Sequence, residues 1–202
     1  MSTSETGSPC ITSDFITLAG TYFYIGRDLR LDFAGRDPFT IEGWMGFSTL
    51  ETAAPVFSKA GELVLGFTAD GRFFARRRFW QYPLVSSRRL EAGVWHHLGV
   101  TCDGERWTLY VDGAPDAEDV GRSEDDGRAP HHLGSLQRAA NLRCEVWNVR
   151  FWNVARCAEQ MFQAMDRAMV PQTGLVAAFF PELPALASLR VAGDQALAHS
   201  AA

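Results

Sequence analysis

Hydrophobic and polar residues alternate along much of the chain, most regularly between Gly93 and Gly113. Alternation with a period of two is typical of strands that bury one face. Asp103-Gly104 interrupts the alternation and predicts a two-residue hairpin turn with positive φ at both positions. The predicted hairpin pairs Cys102 with Glu105, Val100 with Trp107, Leu98 with Leu109 and His96 with Val111.

The two faces of this predicted hairpin differ in chemistry. The face directed toward a core carries Leu98, Val100, Leu109 and Val111. The other face carries Trp95, His97, Thr101, Arg106, Thr108 and Tyr110. A sheet with one apolar and one aromatic-polar face predicts a two-sheet sandwich whose outer surface could hold a ligand.

Other short runs predict an all-β chain with a single helix near its C-terminal end. Strands are predicted near residues 14–18, 22–25, 39–47, 55–58, 62–67, 72–79, 95–102, 106–112, 130–134, 143–152 and 174–180. The helix is predicted from Val154 to Met169, with Cys157, Met161, Met165 and Ala168 on a core-facing side that Phe162 widens. Residues 114–130 are rich in acidic residues and predict a long loop.

Several segments carry a family resemblance. The motifs are W-H-H-L-G-V-T-C-D-G with the following L-Y-V-D-G (95–113), F-T-I-E-G-W (39–44), V-F-S-K-A-G (56–61), E-V-W-N-V-R-F-W-N-V-A-R (145–156) and G-L-V-A-A-F-F-P (174–181). In this order they resemble the laminin-G-like and pentraxin-like domains of the concanavalin A-like lectin/glucanase superfamily. The resemblance implies a two-sheet antiparallel jelly-roll sandwich over residues 11–185. From the sequence outside it we expect a disordered leader at 1–10 and a tail or final edge segment at 186–202. It implies function only broadly, because the group includes glycan binders, adhesion modules and enzymes.

Composition is consistent with one all-β domain. The 202 residues are 47% hydrophobic, which is enough to fill a sizeable core. The net charge of −5 argues against nucleic acid as the main partner. Lys59 is the only lysine among 19 basic residues. Such an arginine bias indicates either a GC-rich genome or recognition of carboxylate or phosphate groups. We expect a bacterial source.

The N-terminal segment and the cysteines indicate where the protein is located and whether its thiols are reduced. The first nine residues have no basic region followed by an apolar one, and no apolar run approaches the roughly 18 residues of a membrane span. We therefore expect a cytoplasmic or non-classically exported protein without a membrane span. The four cysteines, Cys10, Cys102, Cys144 and Cys157, allow three pairings. We expect reduced thiols, with Cys102 and Cys144 as small core groups.

The acidic loop is a candidate calcium site. Asp116, Asp119 and Asp126 could supply oxygen ligands, and relatives in this fold use calcium to hold sugars or phosphocholine. Their spacing matches no compact calcium motif. At the position of the pentraxin-like calcium loop, this chain offers only the amide oxygens of Gln137 and Asn141, and the neighbouring Arg138 and Arg143 would repel a cation. We therefore expect no tight calcium site and no other cofactor.

A basic-aromatic segment is the main candidate for ligand binding. Alternation places Arg76, Arg78, Trp80 and Tyr82 on one side of a strand. Sugar rings stack on aromatic side chains while polar groups bind their hydroxyls. The same residues could equally be arginines lying over exposed aromatics on an ordinary strand. Trp44, Trp95, Tyr110 and the pair His131-His132, of which one must face outward, complete the predicted ligand-binding set.

An enzymatic interpretation rests on Glu42 and His97. If their strands share one sheet, Glu42 could orient His97 as a general base toward a small apolar or aromatic metabolite. No paired-acid run of the glycosidase type and no nucleophile elbow occurs in the chain. We therefore predict a carbohydrate-binding, lectin-like domain. The alternatives are this intracellular enzyme and a structural or assembly domain.

Overall fold

The computed structural model describes residues 15–19, 22–26, 28–50, 52–59, 62–77, 82–121, 129–134, 143–165 and 172–179, and the backbone of 190–191 and 195–196. The strands are β1 (Ile16–Ala19), β2 (Tyr22–Gly26), β3 (Phe39–Thr49), β4 (Ala54–Lys59), β5 (Leu63–Phe67), β6 (Phe73–Arg77), β7 (Leu84–Val85), β8 (His96–Cys102), β9 (Arg106–Val111), β10 (Ala114–Val120), β11 (His131–Gly134), β12 (Arg143–Trp152), β13 (Leu175–Phe179), β14 (Arg190–Val191) and β15 (Gln195–Ala196). A 3-10 turn spans Leu29–Leu31, and the helix α1 spans Ala158–Ala164. The predicted leader lies outside the described residues.

Two antiparallel sheets form a sandwich, as predicted. Sheet A has the order β1-β12-β3-β8-β9-β10, with β13 also paired to β12. Sheet B has the order β2-β11-β4-β5-β6-β7. Apolar side chains from the facing sides of both sheets form one core, in which Leu98, Val100, Leu109 and Val111 are fully buried. Cys102 and Cys144 are buried free thiols in this core, which confirms their predicted role.

The predicted hairpin register is wrong by two residues. Cys102 pairs with Trp107, and Val100 pairs with Leu109. The Asp103 side chain accepts hydrogen bonds from the backbone of Glu105 and Arg106, so the chain reverses one residue later than predicted. Of the two predicted turn residues, Gly104 has positive φ, at 106°, and Asp103 does not. A shift of two residues preserves the side-chain alternation, and both faces therefore keep their predicted composition.

The acidic segment after this hairpin is partly a strand, which corrects the predicted loop. Asp112 and Gly113 have φ values of 54° and 75° and form the two-residue turn between β9 and β10. Residues 114–120 then pair with β9. This strand forms one edge of sheet A, and its exposed acidic side chains disfavour pairing with another chain.

The helix begins four residues later than predicted, at Ala158 instead of Val154, and the predicted part from 166 to 169, with Ala168, lies outside the described residues. Residues 154–157 are not helical: the Thr40 hydroxyl donates to the Val154 carbonyl at 2.8 Å and accepts from the Arg156 backbone N–H at 2.9 Å. Met161 is buried against sheet A, whereas Cys157 and Phe162 are exposed, so these two do not extend the core-facing side as predicted. None of the helical segments in the described part of the chain has the length and apolarity needed to cross a bilayer.

Candidate functional site

Sheet A positions the two residues of the enzymatic interpretation close together but deep in the protein. Glu42 and His97 lie on the outer face of β3 and β8, with Glu42 Oε2 3.9 Å from His97 Nε2. The Glu42 side chain is fully buried, and His97 is 1% exposed. A general base must reach a proton of its substrate, and neither side chain has a surface open to one.

The segment around α1 covers this part of sheet A. Met161 lies so close to Gly99 that a Cβ there would approach its Sδ to 3.2 Å. Arg156 donates a hydrogen bond to Glu42 Oε1, and its guanidinium stacks on Trp152 with 4.0 Å from Cζ to the ring centre. Trp152 Nε1 donates to the same Glu42 oxygen at 2.9 Å. These contacts give Glu42 a structural environment of charge-assisted hydrogen bonds.

Burial changes the ionisation of both groups. It raises the pKa of the Glu42 carboxyl, while Arg156, Arg150 and the Trp152 hydrogen bond act in the opposite direction. Burial, together with the positive charge of Arg150, lowers the pKa of His97 to about 3. His97 is therefore neutral at physiological pH.

Two aromatic residues predicted to bind ligand are also buried on this face. Trp44 is 5% exposed, and its Nε1 donates to the Met165 carbonyl at 2.8 Å. Tyr110 is 8% exposed. Their outer-face position follows the predicted alternation, but the segment that contains α1 covers the sheet there.

A cleft opens where α1 does not cover sheet A. It has a volume of about 540 Å³ and is lined by Thr17, Gly46, Phe47, Ser48, Gly93, Trp95, Arg143 and Glu145. We call it the Trp95 cleft. Its volume lies within the roughly 300–1,000 Å³ that is typical of small-ligand pockets.

The indole of Trp95 forms one wall of this cleft. A Cβ built on Gly46 would meet the two ring-fusion carbons, Cδ2 at 3.4 Å and Cε2 at 3.7 Å, so the indole lies across the bare backbone of β3. The Gly93 N–H donates to the Phe47 carbonyl at 2.8 Å and fixes the loop that leads to Trp95. Phe15 contacts the indole in an edge-to-face arrangement, with 5.9 Å between ring centres. Gly46 and Phe15 therefore fix the orientation of the Trp95 indole.

Polar groups extend from the indole across the sheet. The strand register places Glu145 between Thr17 on one side and Gly46 on the other. Neighbouring strands lie about 4.8 Å apart, so the row from Thr17 to Trp95 is roughly 14 Å long. Sequence reasoning identified Trp95 but not Thr17, Ser48, Arg143 or Glu145. The alternation of β12, which puts residues 143 and 145 on the outer face, was the signal that could have found the last two.

Sheet B carries a second group of predicted residues. Arg76 and His132 lie in one cross-strand row through Ser58 and Val64 on its outer face. Arg76 is exposed, but His132 is only 5% exposed and its ring is 5.3 Å from that of Tyr24.

The remaining predicted residues of this group are dispersed. His131 is buried in the core, with Nδ1 3.1 Å from the Gly26 carbonyl and Nε2 3.3 Å from the Leu31 carbonyl. Tyr82 is 74% exposed, whereas Arg78 and Trp80 lie outside the described residues. Arg76, His131, His132 and Tyr82 therefore do not share one pocket.

The acidic residues proposed for calcium have other contacts. Asp116 accepts hydrogen bonds from the backbone N–H of Ser87 at 2.5 Å and its hydroxyl at 3.0 Å, and it pairs with Arg88 at 3.1 Å. Asp119 accepts from the Val120 N–H, and Asp126 lies outside the described residues. Within the described ranges, no three His, Cys, Asp or Glu side chains are grouped as metal ligands.

Comparisons with known proteins agree with this architecture. Among solved structures, a Bacteroides ovatus protein provisionally described as carbohydrate binding has a TM-score of 0.65 at 16% identity, over 89% of this chain and 54% of its own. The binding domain of Paraclostridial Mosquitocidal Protein 1 has a TM-score of 0.64 at 15% identity, over 74% of this chain and 42% of its own. The chain thus spans about half the length of these two structures.

A third solved structure is domain 4 of AbnA, a GH43 extracellular arabinanase from Geobacillus stearothermophilus, in complex with arabinotriose. It has a TM-score of 0.54 at 15% identity, over 64% of this chain and 66% of its own. At such identities the likeness concerns the fold alone. A search of curated protein sequences finds no match. The laminin G-like model (Laminin_G_3) matches residues 17–161, and the chain therefore belongs to the concanavalin A-like lectin/glucanase superfamily.

Proposed function

We propose that this domain binds carbohydrate in the Trp95 cleft. The observation that carries the proposal is the indole of Trp95, which lies over Gly46 in a cleft that Thr17 and Glu145 also line. Sugars combine C–H faces, which stack on aromatic rings, with hydroxyls, which need polar partners. A cleft with one aromatic wall and several polar side chains provides both.

Two further points support a binding role. The structural relatives include a protein provisionally described as carbohydrate binding and a domain solved with arabinotriose. The Glu42 and His97 side chains are buried beneath α1, so the geometry favours binding in the open cleft over chemistry at these two residues.

A glycan array with the native protein and matched variants tests this function. Trp95→Ala should weaken binding by at least about tenfold, because truncation of a central aromatic contact typically costs more than 1.4 kcal/mol. Gly46→Val should also weaken binding, because its side chain would displace the indole. Tyr82→Ala removes an exposed aromatic outside the cleft and should leave binding unchanged.

The melting temperature of each variant is the control for folding. Loss of binding in Tyr82→Ala with full binding in Trp95→Ala would place the site on the predicted basic-aromatic segment instead. Absence of any glycan binding by the folded native domain would contradict the proposal and favour the structural or assembly interpretation.

A further inference from the structure

Two opposite charges line the Trp95 cleft without a partner among the described residues. In the register of β12, Arg143 lies between the backbones of Ala19 and Thr49, and Glu145 lies between Thr17 and Gly46. Surface charges on a sheet are usually compensated by an opposite charge directly across on the neighbouring strand, and neither Arg143 nor Glu145 has such a cross-strand partner. Both side chains line the cleft and remain available to a ligand.

Their positions differ relative to the indole. Glu145 is in the same cross-strand row as Gly46, whose backbone supports Trp95. Arg143 is two residues away along β12, where residues i and i+2 are roughly 7 Å apart. A sugar ring stacked on the indole would therefore have the carboxylate of Glu145 beside it. The guanidinium of Arg143 would lie farther along β12, within reach of a substituent on that ring.

This arrangement distinguishes the groups that each side chain can bind. A carboxylate accepts hydrogen bonds only, so Glu145 suits sugar hydroxyls and repels an acidic substituent. The planar guanidinium of Arg143 matches a carboxylate with two parallel hydrogen bonds. Ser48 adds a hydroxyl to the same lining.

We infer that the ligand is an acidic glycan whose sugar carboxylate binds Arg143 while its ring stacks on Trp95 and its hydroxyls bind Glu145. This inference rests on the proposed carbohydrate-binding function. It adds a substrate class, namely sugars that carry a carboxylate, and it assigns Arg143 as the residue that selects them.

A paired glycan array tests this inference. Each carboxylate-bearing glycan is printed beside its carboxyl-reduced counterpart, which differs only in that group. The native domain should bind the acidic member of its best pairs about tenfold or more tightly, as expected for a charge-assisted hydrogen bond. Arg143→Gln should reduce this preference to about twofold or less, whereas Trp95→Ala should weaken both members.

The control for net charge is Arg106→Gln, because Arg106 is an exposed arginine outside the cleft that pairs with Glu118. It should keep the native preference, whereas equal losses in both arginine variants would reduce the effect to general electrostatics and overturn the inference. Equal binding of the acidic and reduced members, still dependent on Trp95, would also overturn it but leave the proposed function intact. Binding that is independent of Trp95 would contradict both.

Discussion

Arg156 and Glu42 join two parts of the chain that are 114 residues apart, since the guanidinium donates a hydrogen bond to the buried carboxylate. Arg156 belongs to the non-helical segment before α1, and Glu42 belongs to β3 in the middle of sheet A. The pair thereby holds α1 on the outer face of the sheet. The contact helps to keep Glu42 and His97 covered, whereas the part of the face around Trp95 forms an open cleft.

The first prediction concerns this ion pair. Glu42→Gln should destabilise the domain by about 3–5 kcal/mol, because removal of one partner leaves a buried charge uncompensated. The double variant Glu42→Gln with Arg156→Gln should cost less than the sum of the single variants. Chemical denaturation measures each free energy of unfolding.

A surface ion pair supplies the matched control. Glu118 pairs with Arg106 at 2.9 Å, and both side chains are about half exposed. Glu118→Gln should therefore change stability by less than about 1 kcal/mol. A stable Glu42→Gln variant that had lost a metabolite-converting activity would instead support the enzymatic interpretation.

The second prediction is a loss of stability on acidification. Because burial lowers the pKa of His97 from 6.5 to about 3, the unfolded state binds a proton more readily than the folded state. The contribution of neutral His97 to the free energy of unfolding is fully present above pH 6.5 and declines as the pH falls toward 3. One such group gives a slope of about 1.4 kcal/mol per pH unit in that window. Burial also lowers the pKa values of His131 and His132, which act in the same direction.

Unfolding curves between about pH 7 and pH 5 measure this slope before most carboxyl groups titrate. His97→Gln should unfold with a shallower pH dependence than the native domain, because the variant has no ring to protonate. An identical slope in both proteins would contradict the prediction, because it would show that His97 contributes nothing to the pH dependence of stability.

The third prediction concerns calcium. Millimolar calcium should leave the melting temperature unchanged, because Asp116 is already hydrogen-bonded to Ser87 and paired with Arg88. A cation present at a hundred times its dissociation constant would stabilise the domain by about 2.7 kcal/mol. An increase of several degrees that a chelator reverses would contradict this expectation.

The turns show how far local sequence determines this fold. Both Asp103-Gly104 and Asp112-Gly113 carry the dipeptide that favours a two-residue turn, yet only the second has positive φ at both positions. At the first, the Asp103 side chain accepts hydrogen bonds from the N–H groups of Glu105 and Arg106, and the chain reverses one residue later. The same dipeptide therefore allows two registers, and the hydrogen bonds around it decide between them.

The strand β10 was missed for a related reason. Its sequence, A-P-D-A-E-D-V, has no apolar alternation, because it lies at the edge of the sheet and packs few side chains. Its backbone pairing with β9 follows from the turn at Asp112-Gly113. A pattern of side chains cannot predict pairing that comes mainly from the backbone.

The amino-acid sequence by itself determined the all-β class, most strand positions, the core-facing residues Val100 and Leu109, and the membership of Trp95 and Glu42 in the outer face. These properties follow from side-chain alternation, which is local. Only the tertiary structure decided which part of that face stays open. Trp152 and Arg156 contact Glu42 from more than 100 residues away, whereas Gly46 leaves room for Trp95. Burial of an outer face depends on what packs on it from distant parts of the chain, and periodicity carries no information about such contacts.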